Sequence, residues 1–361
     1  MEPVVSLKPV PAEVVFRNDF IDYLKGALIF LVVCGHLIQF LSYGDNPSFY
    51  LNPLFMAIYM FHMPLFMAVS GFVSFRSISN TTFWFGVPRR IQQIIIPAIC
   101  WPILYLGASL LWFILYQGTL AGGMHLFMKS LPSFRPGLWF LWAVFGSMLV
   151  VSAFKFFQRD RLEFFLAATL LFLFAPDGAD IYLFKYTFPF FCLGYALAKG
   201  DQIRIPKNVS PPLVATVFMA SIVCYLLWRT NTYIYVTKMH LSPSNLYNIG
   251  LRYFAGVTVS AAFLLLMLFF YRMAKSKTLS NWGQHSLDIY IIHLYCVVGL
   301  GAFAMSLKNS LWSSFLVAPV LAGILCAVTC QIGIVIGKIP VARTLLLGKT
   351  RRHEIPGALK S

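Results

Sequence analysis

The 361 residues are 59% hydrophobic and only 11% charged, with a mean hydropathy of +0.76, whereas an ordinary soluble domain is about 25% charged. Too few charged side chains remain to cover a water-facing surface, which excludes a soluble enzyme, a disordered chain and a coiled coil and leaves a polytopic membrane protein. Lysine and arginine total 28 against 12 acids, a net charge of +16; because these cations punctuate apolar runs, they report membrane orientation and not nucleic acid.

Stretches of about 20 apolar residues predict ten spans: 20–41, 51–75, 94–116, 138–157, 162–175, 181–198, 211–228, 249–271, 286–306 and 312–337. The fifth is short, and Pro176-Asp177-Gly178 allows only a tight turn into the sixth, so these two are either full spans or a re-entrant pair. With the N-terminus inside, twenty of the 28 cations fall in cytoplasmic segments. Five (Lys129, Arg135, Arg229, Lys238 and Lys308) lie outside, and Lys25, Lys185 and Arg252 lie within spans. This bias fits the positive-inside rule with both termini cytoplasmic. The expected architecture is an all-α transmembrane helix bundle of about ten spans, with a cytoplasmic segment 1–19, a membrane domain 20–338 and a basic cytoplasmic tail 339–361. The two longer outer loops, 117–137 and 229–248, carry Trp, Tyr, His, Asn and Arg suited to a polar partner outside.

Ionisable groups inside a span are costly and therefore candidates for function. The first span has the densest set, Asp22, Lys25 and His36. Lys25 and His36 are eleven residues apart, which on a helix returns to within about 20° of the same face with an axial separation of about 16 Å. One stripe therefore carries a cation near the cytoplasmic end and an imidazole towards the other. Asp22 is spaced to pair with Lys25, and Gly35 beside His36 leaves room for a close approach. The plainer alternative is that Lys25 snorkels to the headgroups and His36 bonds a neighbouring helix.

His62 precedes Pro64 in the second span, where proline frees a backbone carbonyl that a histidine can satisfy. His293 lies two turns into the ninth span, where a structural role is the plainer reading, Arg89 and Arg90 sit at the cytoplasmic mouth of the third before Pro97, and Trp139 lies at the outer end of the fourth. For Arg89 and Arg90 topology alone is a sufficient account, as an interfacial belt is for Trp139. The seven cysteines include no Cys-x-x-Cys pair, so neither a metal site nor a disulfide framework is expected. Cys34 is too close to His36 in sequence for the two to share a helix face. Gly333 and Gly337 have the spacing of a helix-packing pair.

Taken together, several segments resemble the family-3 membrane acyltransferases, in particular the fucose O-acetylase-like and exopolysaccharide O-acetyltransferase branch. They are Arg17, Asp22, Lys25-Gly26 and Gly35-His36; Phe61-His62-Met63-Pro64-Leu65-Phe66 with Ser70-Gly71; Arg89-Arg90 leading to Pro97; Leu138-Trp139-Phe140-Leu141; and Ser286-Leu287, Ile289-Tyr290 and His293. Two departures stand out. Lys25 occupies a position where many relatives carry arginine, giving a point charge in place of a bidentate fork, and the extracytoplasmic hydrolase-like domain of some relatives has no counterpart within these residues.

The resemblance implies transfer of an acetyl group from acetyl-CoA, a donor substrate and not a bound cofactor, to a sugar hydroxyl of a surface glycan or lipid-linked acceptor at a bacterial inner membrane. Lys25, Arg89, Arg90 and Arg17 would hold the donor's phosphates. His36 would act as base or nucleophile, aided by His62 and with Asp22 orienting Lys25, while Trp139, Arg135 and His293 would face the acceptor. The rival class is a proton-coupled transporter or lipid-linked glycan flippase, which would use the same buried charges but leave no covalent label on a glycan.

Overall fold

A computed structural model of the chain describes residues 19–43, 46–117, 138–200, 210–301 and 312–349, and all the regular structure among them is helical. Seven helical segments are long and apolar enough to cross a bilayer: Asp19–Ser42, Pro53–Ser79, Phe83–Leu115, Trp139–Phe156, Ile181–Lys199, Pro243–Met273 and Ser313–Lys338. Three shorter apolar helices, Leu162–Leu173, Pro211–Leu227 and Ser286–Val297, coincide with the fifth, seventh and ninth expected spans. The 12 residues of Leu162–Leu173 reach about 18 Å, short of the roughly 30 Å hydrocarbon core.

The mast of the bundle is α1, Asp19–Leu37, which carries Asp19 and Asp22 in its first turn, where the helix dipole favours acids. It is buried on nearly every face, as befits a central helix. The backbone of α11 (Lys277–Gln284) lies directly against it: a Cβ at Gly26 would overlap the Leu279 carbonyl, and one at Gly283 would overlap the Asp22 carbonyl. Around it stand α12 (Ser286–Gly301) and α13 (Ala318–Lys338) on one side and α3 (His62–Ser79) on another. Of the expected Gly333–Gly337 packing pair, Gly333 makes a close helix contact, its open face receiving the Asp288 side chain, whereas a Cβ at Gly337 would meet only Leu347 Cδ1 at 3.9 Å.

The second span differs from its sequence reading. Instead of one helix through 51–75, it is α2 (Pro53–Tyr59) and α3, separated at Met60–Phe61. Pro64 explains the break, because it lacks the N–H that would close a helical bond to the Met60 carbonyl. One residue further on the helical pattern resumes, the Phe61 carbonyl accepting from Leu65 N–H at 2.9 Å and also from Ser260 Oγ at 3.4 Å. Asn52 caps α2, accepting from the N–H groups of Leu54 at 3.1 Å and Phe55 at 3.0 Å.

The remaining α-helices of eight residues or more among the described residues are α4 (Phe83–Arg90), α5 (Ile96–Gln117), α6 (Trp139–Phe156), α7 (Leu162–Leu173), α8 (Ile181–Lys199), α9 (Pro211–Leu227), α10 (Pro243–Met273) and α14 (Pro340–Leu347). Lys25, Arg90, Lys155 and Lys349 mark one end of the bundle, the basic end. The opposite end is closed by residues 228–242. There Arg252 of α10, only 1% exposed, donates to the carbonyls of Thr232 at 2.6 Å and Asn231 at 3.2 Å and to Lys238 and Thr237. Asp177 ties the same segment to α8, accepting from Lys185 Nζ at 2.6 Å and Met239 N–H at 3.0 Å.

Helices α3 and α8 interlock through two glycines: a Cβ at Gly71 would overlap the Phe191 carbonyl, and one at Gly194 the Ala68 carbonyl, whereas Gly107 faces open space. Gly71→Leu or Gly194→Leu should therefore cost about 1–3 kcal/mol or more by overpacking and lower the melting temperature in detergent. Gly107→Leu should leave it unchanged.

Candidate active site

Lys25 and His36 do lie on one helix, and both are partly exposed while Ile29 and Val32 between them are buried. The expected pair forms: Lys25 Nζ lies 3.2 Å from Asp22 Oδ1. At the other end of the stripe, His36 Nδ1 is 2.9 Å from His293 Nε2, with the two rings nearly parallel at 9° and their centroids 5.2 Å apart.

The tautomers follow from what surrounds this pair. His293 Nδ1 sits 2.9 Å from the Ile289 carbonyl, which can only accept, so Nδ1 carries the proton and Nε2 is the acceptor. His36 therefore donates through Nδ1, and its Nε2 is left as the basic nitrogen. The structure thus places His293 against His36. His62 is held by the same logic, its Nδ1–H donating to the Ile58 carbonyl at 2.8 Å, which leaves its Nε2 as an acceptor.

Tyr59 joins the two halves of the site. Its ring fills the space beside Gly35, where a Cβ would meet Tyr59 Cε2 at 2.8 Å, and lies 4.6 Å from the His62 ring. Beyond it, Tyr59, His62, Trp139, Tyr235 and Arg252 line an inner cavity with about 20 Å³ of free space, room for a single water. Desolvation pushes the Tyr235 phenol well above its ordinary pKa, aided by Tyr59 and other phenols, so it stays a hydrogen-bond donor. Neither Tyr59 nor the Arg252-bound segment is evident from local spacing; the sequence signals are Pro64, which breaks the helix at Tyr59, and an arginine inside a span.

At the basic end Arg89 is exposed, while Arg90 donates to Gln93 Oε1 at 2.7 Å and to Ser77 Oγ. Arg90 and Lys155 border a cavity of about 490 Å³ between α4 and α6. A further acid at this end is Asp288, with a 1% exposed side chain, whose Oδ2 accepts from His285 Nδ1 at 2.9 Å and Lys349 Nζ at 2.5 Å. The Trp101 indole donates to the Leu346 carbonyl at 2.8 Å, and Gly348, at φ +62°, packs on the Gln93 carbonyl. The first residues after Lys338 are thereby docked on the bundle. Arg17 and Arg135 lie outside the described residues.

Residues 18–335 match the sequence model of an acyltransferase domain. The chain is 33% identical over 285 residues to the nodulation protein NolL of Sinorhizobium fredii, covering 76% of this chain and 77% of that protein. It is 32% identical over 300 residues to the nodulation protein NolL of Mesorhizobium japonicum, covering 78% and 77%. No solved structure matches.

The Asp288–Lys349 contact predicts that Asp288→Asn loosens the C-terminal segment. Limited trypsin digestion of a C-terminally tagged protein should then release the tag several-fold faster than from the parent, with the membrane core intact.

Proposed function

The chain belongs to the family-3 membrane acyltransferases, and from that premise we propose that it moves an acetyl group from acetyl-CoA to a hydroxyl of a cell-surface glycan. Family membership decides against the transporter and flippase readings. Within the proposal the basic end faces the cytoplasm, the chain has about ten spans with the short α7 and its neighbour α8 either crossing fully or forming a re-entrant pair, both termini are inside, and the membrane is the bacterial inner membrane. The four-to-one charge bias supports this orientation. Exopolysaccharide is the preferred acceptor. Both relatives bear the name of nodulation proteins, which favours a lipo-oligosaccharide as the second reading, ahead of O-antigen.

The contact that carries the mechanism is His36 Nδ1 to His293 Nε2, 2.9 Å apart. Coenzyme A has phosphates at one end and a thioester at the tip of a long arm. Lys25, poised by Asp22, would hold phosphates at the cytoplasmic end with Arg89, Arg90 and Arg17 as further cations; the cavity beside Arg90 supports a ligand at this end. The arm then spans the roughly 16 Å to His36. There Nε2 takes the proton of the acceptor hydroxyl as its oxygen attacks the thioester carbon. The carbon–sulfur bond breaks, the coenzyme A sulfur leaves and recovers that proton, and the products are an O-acetyl ester and free coenzyme A. His293 fixes the ring and takes up part of the charge that develops on His36. His62 has its one ring N–H committed to the Ile58 carbonyl, so it cannot donate to the thioester carbonyl; its Nε2 would instead accept from the acceptor hydroxyl and steady it beside Trp139. In the alternative covalent route the same Nε2 attacks first and carries the acetyl group.

Mass spectrometry of surface glycans from cells with and without the gene tests the activity: acetyl groups should vanish with the gene. His36→Ala, at normal abundance, should cut transfer by about 10²-fold or more, while retained acetylation removes His36 from the chemistry. Lys25→Ala should raise the KM for acetyl-CoA by about tenfold, as for one charge-assisted contact, with kcat little changed; an unchanged KM contradicts the phosphate role.

A further inference from the structure

Outside the inner cavity, and sharing a wall with it, lies a second cleft of about 330 Å³ between α6 and α8. Its lining includes Trp139, Trp142, Ile181, Phe184 and the carboxylate-bearing Asp180. Trp139 and Leu183 border both cavities, so these two side chains are the wall between the cleft and the cavity lined by His62 and Tyr59. Trp139 opens α6 and Asp180 immediately precedes α8, which places the cleft at the end of the bundle opposite Lys25.

We infer that this cleft is the acceptor subsite and takes one pyranose ring of a saccharide, an assignment that rests on the acyltransferase reading above. The chemistry of the lining favours a sugar. Indole rings offer flat apolar faces to the C–H face of a pyranose, and Trp142 is 43% exposed. Asp180 stands at the lip of the same cleft in a left-handed backbone conformation, φ +62°, and an ionised carboxylate accepts strong hydrogen bonds from neighbouring hydroxyls. A lipid acyl chain would gain from the aromatic wall but lose by desolvating that carboxylate. The volume suits one small ligand, whereas the inner cavity, with about 20 Å³, admits a hydroxyl group but no ring. The ring is therefore held outside while one hydroxyl points past Trp139 towards His62 and Tyr59, the latter packed against Gly35 beside His36.

The test uses purified full-length protein in nanodiscs, labelled acetyl-CoA, and oligosaccharides released from the host's own surface glycan and de-O-acetylated with mild alkali. Trp142→Ala and Asp180→Asn should each raise the acceptor KM by about tenfold, the worth of one good contact, with the acetyl-CoA KM and the melting temperature unchanged. Trp142→Phe, which keeps an aromatic face, should recover most of the loss. Folded variants with an unchanged acceptor KM overturn the cleft assignment, as does a co-purifying phospholipid lost only from Trp142→Ala with kinetics intact. A wild-type protein that labels another hydroxyl compound but no saccharide instead removes the glycan reading, and the cleft falls with it.

Discussion

A histidine inside a membrane needs a partner for its ring N–H, because hydrocarbon supplies none. His36 meets this requirement through a chain of two hydrogen bonds, Nδ1 to His293 Nε2 and His293 Nδ1 to the Ile289 carbonyl, each 2.9 Å long. The terminal carbonyl is an obligate acceptor, so the direction of the whole chain is set and the basic nitrogen of His36 is turned away from it. In the proposed mechanism, structural satisfaction and chemical readiness are the same arrangement.

The rest of the bundle maintains that arrangement. Helix α1 holds Lys25 and His36 in fixed register, and the backbone contact of α11 at Gly26 and Gly283 locks the helix that precedes α12, which carries His293. On the other flank, the break at Met60–Phe61 frees Tyr59 to lie against Gly35 and His62. The opposite end is closed by Arg252 and Asp177, which are costly to bury and are compensated by several loop carbonyls and by Lys185. Long apolar side chains on α5 such as Leu104, Leu111 and Leu115 remain exposed and form a surface suited to lipid.

Much of this was legible in the sequence because it depends on local periodicity. The apolar runs marked most of the helices within a few residues, though the third span begins at Phe83 and the eighth at Pro243, well before the predicted 94 and 249; the three-residue spacing gave the Asp22–Lys25 pair, and the eleven-residue spacing put Lys25 and His36 on one stripe. What escaped depends on contacts between distant segments. His36 and His293 are 257 positions apart, and nothing in SLDIYIIHLY shows which helix its histidine meets. Asp288 in the same stretch reads as an ordinary first-turn acid; its burial under Lys349, 61 residues on, is a tertiary fact. Lys185 and Arg252 were conspicuous as charges within spans, yet their partners are a turn and a loop that no helical spacing predicts. Proline signalled a disturbance near His62, but only packing decides that the helix stops and restarts there.

The coupling between His36 and His293 is most directly measured by a double-mutant cycle on acetyl transfer from acetyl-CoA to glycan by the purified protein. Residues that act as one unit are not additive. The account predicts that His293→Ala causes a large loss in kcat, and that adding it to His36→Ala causes almost none beyond the loss from His36→Ala alone. Losses that multiply in the double variant would show that the two imidazoles act independently and would contradict the pairing on which the mechanism rests.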